Sequence, residues 1–148
     1  MIISRTPFRI SFAGGGTDLR SFYLEEPGKV LSTSIDKYIY VVVKPQIGIV
    51  EYKYRINWSK VEFCNHIEDI EHPIVREALK LFEIDFPIEI TTFTDIPGNT
   101  GLGSSSAFSV GLVHALHALK GKYATKHTLA SEAGSIEVDI FLSKTLLL

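Results

Sequence analysis

One stretch constrains this chain more than any other: Pro97-Gly98-Asn99-Thr100-Gly101-Leu102-Gly103-Ser104-Ser105-Ser106-Ala107. Residues 88–93 before it (Ile-Glu-Ile-Thr-Thr-Phe) have the composition of a strand. Residues 107–120 after it place Phe108, Leu112, Ala115, Leu116 and Leu119 along one helical stripe. The order is therefore strand, glycine-rich turn, helix. Glycines let backbone N–H groups approach a ligand with no Cβ in the way. The serines are placed to cap the helix, whose first N–H groups have no internal partner. Free amides at the positive end of a helix dipole bind anions, most often phosphate. The stretch reads as a nucleotide-phosphate loop, the alternative being a Gly-Ser turn with no ligand.

Spacing decides which phosphate loops it is not. Gly98 and Gly103 have the separation of a Walker-type loop, but Ser104 stands where that loop needs lysine. Gly101 and Gly103 begin a dinucleotide fingerprint, but Ser106 replaces its third glycine. No acidic residue follows about 20 positions on to hold a ribose. Both common motifs fail on specific residues.

The 148 residues suit one domain with a core. Hydrophobic residues make up 45% and charged residues 22%, which argues against disorder. A net charge of −2 gives no reason to expect nucleic acid as a partner. The lone cysteine, Cys64, can form neither an internal disulfide nor a thiolate cluster, as suits a reducing compartment. Residues 1–5 lack a signal-peptide pattern, and no apolar run approaches a membrane span. A soluble, cytoplasmic protein is expected.

Strands are expected at 2–4 and 8–12, with Pro7 between them at an edge or bend, and Arg9 and Ser11 sharing a face. The turn Gly14-Gly15-Gly16-Thr17-Asp18 leads to a short helix through Tyr23. It admits two readings: a close approach to a ligand gripped by Asp18, or a glycine turn with an N-cap aspartate. Further strands are expected at 30–34, 38–44 and 49–58. Residues 59–70 read as a solvated polar segment, since His66, Glu68, Asp69, Glu71 and His72 match no standard metal-ligand spacing. Helices are expected at 74–82 and 128–140, and Gly121 is expected to close the 107–120 helix as a left-handed cap. His114 and His117 lie off the apolar stripe and read as surface residues. Strands come first and helices cluster later, which favours an α+β fold.

Residues 5–18, Arg5-Thr6-Pro7-Phe8-Arg9-Ile10-Ser11-Phe12-Ala13-Gly14-Gly15-Gly16-Thr17-Asp18, together with the 97–107 stretch resemble the GHMP kinases. The opening is most similar to the D-glycero-D-manno-heptose 7-phosphate kinases, and fucose-type sugar kinases open similarly. The resemblance runs from Met1 to about Ile140. It implies the GHMP kinase N-terminal ATP-binding domain, a ribosomal protein S5 domain 2-like fold, over residues 1–148. By the resemblance, residues 97–106 wrap the triphosphate of ATP and the Ser105 hydroxyl reaches Mg2+. Arg9 then lies near the reacting phosphoryl group, while Gly15, Gly16, Thr17 and Asp18 hold the sugar phosphate. Glu137 looks like the second magnesium ligand, with Asp139 close enough in sequence to be confused with it.

The resemblance also implies parts that do not follow here. The family's general-base aspartate lies about ten residues beyond the glutamate, and a C-terminal GHMP domain comes later. This sequence instead ends Phe141-Leu142-Ser143-Lys144-Thr145-Leu146-Leu147-Leu148, which reads as a chain cut off within a fold. Three readings follow: the N-terminal part of an ATP-dependent heptose 7-phosphate kinase acting at the anomeric hydroxyl, impaired as a separate chain; a non-catalytic nucleotide-binding fragment; or a dinucleotide module, disfavoured by Ser106. Apolar surface left uncovered would favour self-association.

Overall fold

The computed structural model describes residues 1–17, 20–98 and 100–145. Its centre is a five-stranded sheet built around β2, Leu31–Pro45. Alternation along this strand buries Ile39, Val41 and Val43 on one face. The strand β1, Ile2–Ala13, pairs antiparallel along one side of β2, from Ile2 opposite Val43 to Ala13 opposite Leu31. Each takes in two of the strands expected from sequence. Pro7 does not end β1 because β1 is an edge strand, and a register shift between Pro7 and Arg9 absorbs the lost donor. Phe8 is fully buried, but Arg9, Ile10, Ser11 and Phe12 are all exposed, so burial stops alternating where β1 nears the glycine turn.

On the other side of β2 lies antiparallel β5, Ile88–Thr94. It runs parallel to β3, Tyr54–Asn57, which pairs antiparallel with β4, Val61–Cys64. The sheet order is β1-β2-β5-β3-β4. The strand expected over 49–58 shrinks to four residues, with Ile49 fully exposed ahead of it.

Residues 59–70 depart most from expectation. They form β4 and a 3-10 turn at Ile67–Asp69, and they are not merely a solvated segment. Glu62 points inward from the edge strand, accepting from Trp58 Nε1 and from the Glu71 amide, both at 2.6 Å. Ile70 is completely buried. A buried carboxylate with two donors satisfied is compatible with a core; its sequence context alone reads as polar.

The described residues also form the helices α1, Arg20–Tyr23; α2, Pro73–Leu81; α3, Ser104–Leu119; and α4, Lys126–Thr145. His72 caps α2 through Nδ1, which accepts from Val75 N at 3.4 Å, and Pro73 occupies the first turn. Gly121 ends α3 at φ +66°. Thr125 starts α4, its Oγ1 accepting from Thr128 N at 3.1 Å. Helix α3 lies on β1 and β2, where Ser4 Oγ donates to Gly111 O at 2.7 Å, and α4 packs against α2 and α3. Val41, Val43, Ile88 and Ile90 meet Leu112, Leu116, Leu79 and Ala133 in one core, while Ile3, Phe63 and Phe93 on the strands stay more than half exposed. This is an α+β fold.

His117 belongs to that core and not to the surface. It is 9% exposed, its Nε2 is 2.6 Å from Glu132 Oε2 on α4, and its ring meets Phe82 edge-on. Its position off the main stripe of α3 faces α4, a second buried interface that one stripe does not reveal. His114 is exposed.

Candidate phosphate-binding site

Helix α3 starts three residues earlier than the expected 107, so Ser104, Ser105 and Ser106 form its first turn. The first backbone bond runs from Ala107 N to Gly103 O at 2.9 Å. The amides of the three serines therefore lie ahead of the helical ladder, at the positive end of the dipole. The N-cap is Gly103, in the left-handed region at φ +74°, and no side chain caps it. The serines thus do not cap the helix as expected. Their hydroxyls point elsewhere.

Those of Ser105 and Ser106 converge on Glu137 of α4. Ser105 Oγ donates to Glu137 Oε1 at 3.3 Å and Ser106 Oγ to Oε2 at 3.4 Å. A third serine, Ser109, donates to Oε1 at 3.0 Å from one turn further along α3. The two residues expected to hold magnesium are brought together across the α3–α4 contact. A carboxylate and hydroxyls are hard oxygen donors, the set Mg2+ takes when phosphates complete its shell. Among the described residues no cluster of three or more His, Cys, Asp or Glu side chains is placed to hold a metal without such help. The side chain of Asp139 lies outside the described residues.

Arg9 joins the same place from β1. Its amide donates to Leu102 O at 3.2 Å, tying the strand to the loop. Its side chain lies over Gly103: a β-carbon there would sit 3.2 Å from Arg9 Cγ, Nε and Cζ. A permanent cation thus stands beside the free amides. Pro97, Gly98, Thr100 and Gly101 are exposed along the loop, with Leu102 half-buried as its hydrophobic anchor. Asn99 lies outside the described residues.

The glycine turn after β1 makes its close approach to the chain itself. A β-carbon on Gly14 (φ +86°) would fall 1.9 Å from Lys29 O. Thr17 Oγ1 donates to Gly14 O at 2.8 Å or Lys29 O at 3.2 Å, so this hydroxyl is engaged in holding the turn. A β-carbon on Gly15 or Gly16 would meet no atom within 4 Å. Asp18 lies outside the described residues. Of the two readings of this turn, the structural one accounts for Gly14 and Thr17.

Sequence reasoning missed Ser109 and the aromatic contacts beneath the helix. Ser109 had a signal: a serine one turn after Ser105 in an otherwise apolar run. His72 sits between Trp58, at 4.7 Å between rings, and Phe108 of α3, at 4.9 Å. Burial pushes its imidazole below the ordinary histidine range, against a smaller opposing pull from Glu62.

Residues 73–145, from α2 to the end of α4, match the family described as the GHMP kinases N terminal domain. The D-glycero-alpha-D-manno-heptose 7-phosphate kinase of Campylobacter jejuni is 28% identical over 126 residues, covering 77% of this chain and 36% of that protein. The crystal structure of a D-glycero-D-manno-heptose 1-phosphate kinase from Bacteroides thetaiotaomicron superposes with a TM-score of 0.78 at 21% identity, over 93% of this chain and 48% of that one. Streptococcus pneumoniae phosphomevalonate kinase, solved with phosphomevalonate and AMPPNP, gives a TM-score of 0.69 at 19% identity, over 92% of this chain and 42% of that one. The chain spans less than half the length of each of these relatives.

Proposed function

We propose that this chain, which carries the GHMP kinase N-terminal domain, is the nucleotide- and magnesium-binding part of an ATP-dependent sugar-phosphate kinase. The acceptor is a heptose phosphate of the D-glycero-D-manno-heptose 7-phosphate type, phosphorylated at the anomeric hydroxyl. One observation carries the reading: Ser105 and Glu137, far apart in sequence, meet at a helix N-terminus that Arg9 overhangs.

The roles follow from charge. Phosphoryl transfer needs positioning and neutralisation more than covalent chemistry from the protein. The amides of Ser104 to Ser106 and the loop at 97–103 cradle the triphosphate, and Arg9 offsets charge on the transferred group. Ser105 and Glu137 would hold Mg2+, which when bound would supply positive charge to neutralise the phosphates. Gly15, Gly16 and Asp18 are assigned to the sugar phosphate, following the opening that the chain shares with heptose kinases, while Thr17 of the same opening holds the turn that presents them. No helix among the described residues is long and apolar enough to cross a membrane, and we place the protein in the cytoplasm with its ATP.

Calorimetry with Mg-ATP tests the reading on the intact chain and on Ser105→Ala. Binding weakened about tenfold or more by the substitution supports it. No binding by either sinks it. Turnover assays with heptose 7-phosphate and with fucose as alternative acceptors then separate a working kinase from a chain that only binds nucleotide.

A further inference from the structure

We infer that Ser109 is the positioning residue for the Glu137 carboxylate, holding it toward Ser105 before any ligand arrives. The inference rests on the magnesium role proposed for Glu137 and goes beyond it. Ser109 is fully buried, yet its hydroxyl has two acceptors in reach: Glu137 Oε1 at 3.0 Å and its own helix's Ser105 O at 3.1 Å. One hydroxyl has one proton. The charged acceptor wins, because a hydrogen bond to a carboxylate is roughly twice as strong as one to a neutral carbonyl.

The three serines around Glu137 differ in what they are free to do. Ser105 and Ser106 are exposed in the first turn of α3, where phosphate oxygens would draw their hydroxyls away. Ser109 is sealed beneath them and cannot reach an incoming ligand. Its bond to Glu137 is therefore the one that persists when the site fills. Glutamate loses substantial rotamer freedom on being fixed. A rigid donor on the neighbouring helix removes much of that freedom in advance, and leaves Oε2 turned toward Ser106.

Mn2+, a hard divalent cation with the same oxygen preference, serves as the probe. Its affinity for the ATP-loaded chain is measured by electron paramagnetic resonance, and ATP binding is measured separately in EDTA. Ser109→Ala is expected to weaken Mn2+ about tenfold, as loss of a ligand's supporting contact does elsewhere, and to leave metal-free ATP binding unchanged. Ser109→Cys keeps the side chain's bulk with a weak donor and should fall between. Glu137→Gln is the reference. If it weakens Mn2+ while Ser109→Ala and Ser109→Cys do not, the positioning role is wrong and the ligand assignment stands. If all three bind Mn2+ like the parent chain, the ligand assignment fails and the inference falls with it. A loss of metal-free ATP binding in Ser109→Ala would show a general packing role and would equally overturn it.

Discussion

Arg9 lies against Gly103 so closely that a β-carbon on the glycine would sit 3.2 Å from Arg9 Cγ, Nε and Cζ. Gly103 also adopts φ +74°, which costs an L side chain roughly 1–2 kcal/mol. Gly103→Ala therefore strains the backbone and crowds the arginine at once. The expected result is a melting temperature lower by about 2–8 °C together with weaker Mg-ATP binding. Gly101→Ala is the control, since Gly101 has φ +73° but open space around it. It should lose comparable stability without displacing Arg9. Equal nucleotide affinity in parent and Gly103→Ala would rule out a shared anion site at this pair.

The Arg9 side chain is exposed, so removing its charge should cost little in folding. Its value lies in the ligand. A hydrogen bond to a charged group contributes about 1.5–3 kcal/mol, so Arg9→Ala should weaken Mg-ATP binding tenfold or more with an unchanged melting temperature. Arg9→Lys keeps the charge and loses the planar fork, and should recover part of the affinity. A melting temperature that drops with the affinity would mean that Arg9 serves the fold.

Much of this was legible in the sequence because local chemistry and tertiary structure agree. Residues 88–93 and 107–119 have the period of what they form, and Gly121 closes its helix as its type demands. The Ser105–Glu137 meeting was legible only through family resemblance, since no spacing rule spans two helices. Residues 59–70 were illegible for a physical reason. Glu62 is buried because Trp58 Nε1 and the Glu71 amide satisfy it, and neither partner can be read from composition. The serines at 104–106 were read as caps from their type. A left-handed glycine took that position and left the Ser105 and Ser106 hydroxyls for Glu137.

His72 gives a pH dependence with a definite sign. Burial lowers its folded value below the ordinary 6.5, so the unfolded chain binds the proton more readily. Its neutral form is accommodated at pH above about 6.5, and that stability is lost progressively as pH falls through the folded value. Urea unfolding from pH 7.5 down to 5 should show stability declining across this range. His72→Asn keeps a capping side chain for α2 and removes the titration, so its slope should be shallower. Parallel slopes for the two proteins would exclude His72 as the source.

The pair His117–Glu132 links stability to the site because both α3 and α4 pass through it. Among the described residues His117 Nδ1 is buried with no partner and Glu132 supplies the ring's hydrogen bond, to Nε2 at 2.6 Å. Glu132→Ala leaves the whole buried ring unsatisfied, at a cost of about 1–3 kcal/mol. Glu132→Gln keeps a hydrogen-bonding partner for Nε2 and should cost less. Glu137 lies further along the same helix, so a shift of α4 moves the carboxylate away from Ser105. Urea unfolding should therefore rank parent, Glu132→Gln and Glu132→Ala in falling order, and Mn2+ affinity of the ATP-loaded chain should follow the same order. If stability falls and Mn2+ affinity holds, the seating of α4 does not depend on this pair, and the serines of α3 alone fix Glu137.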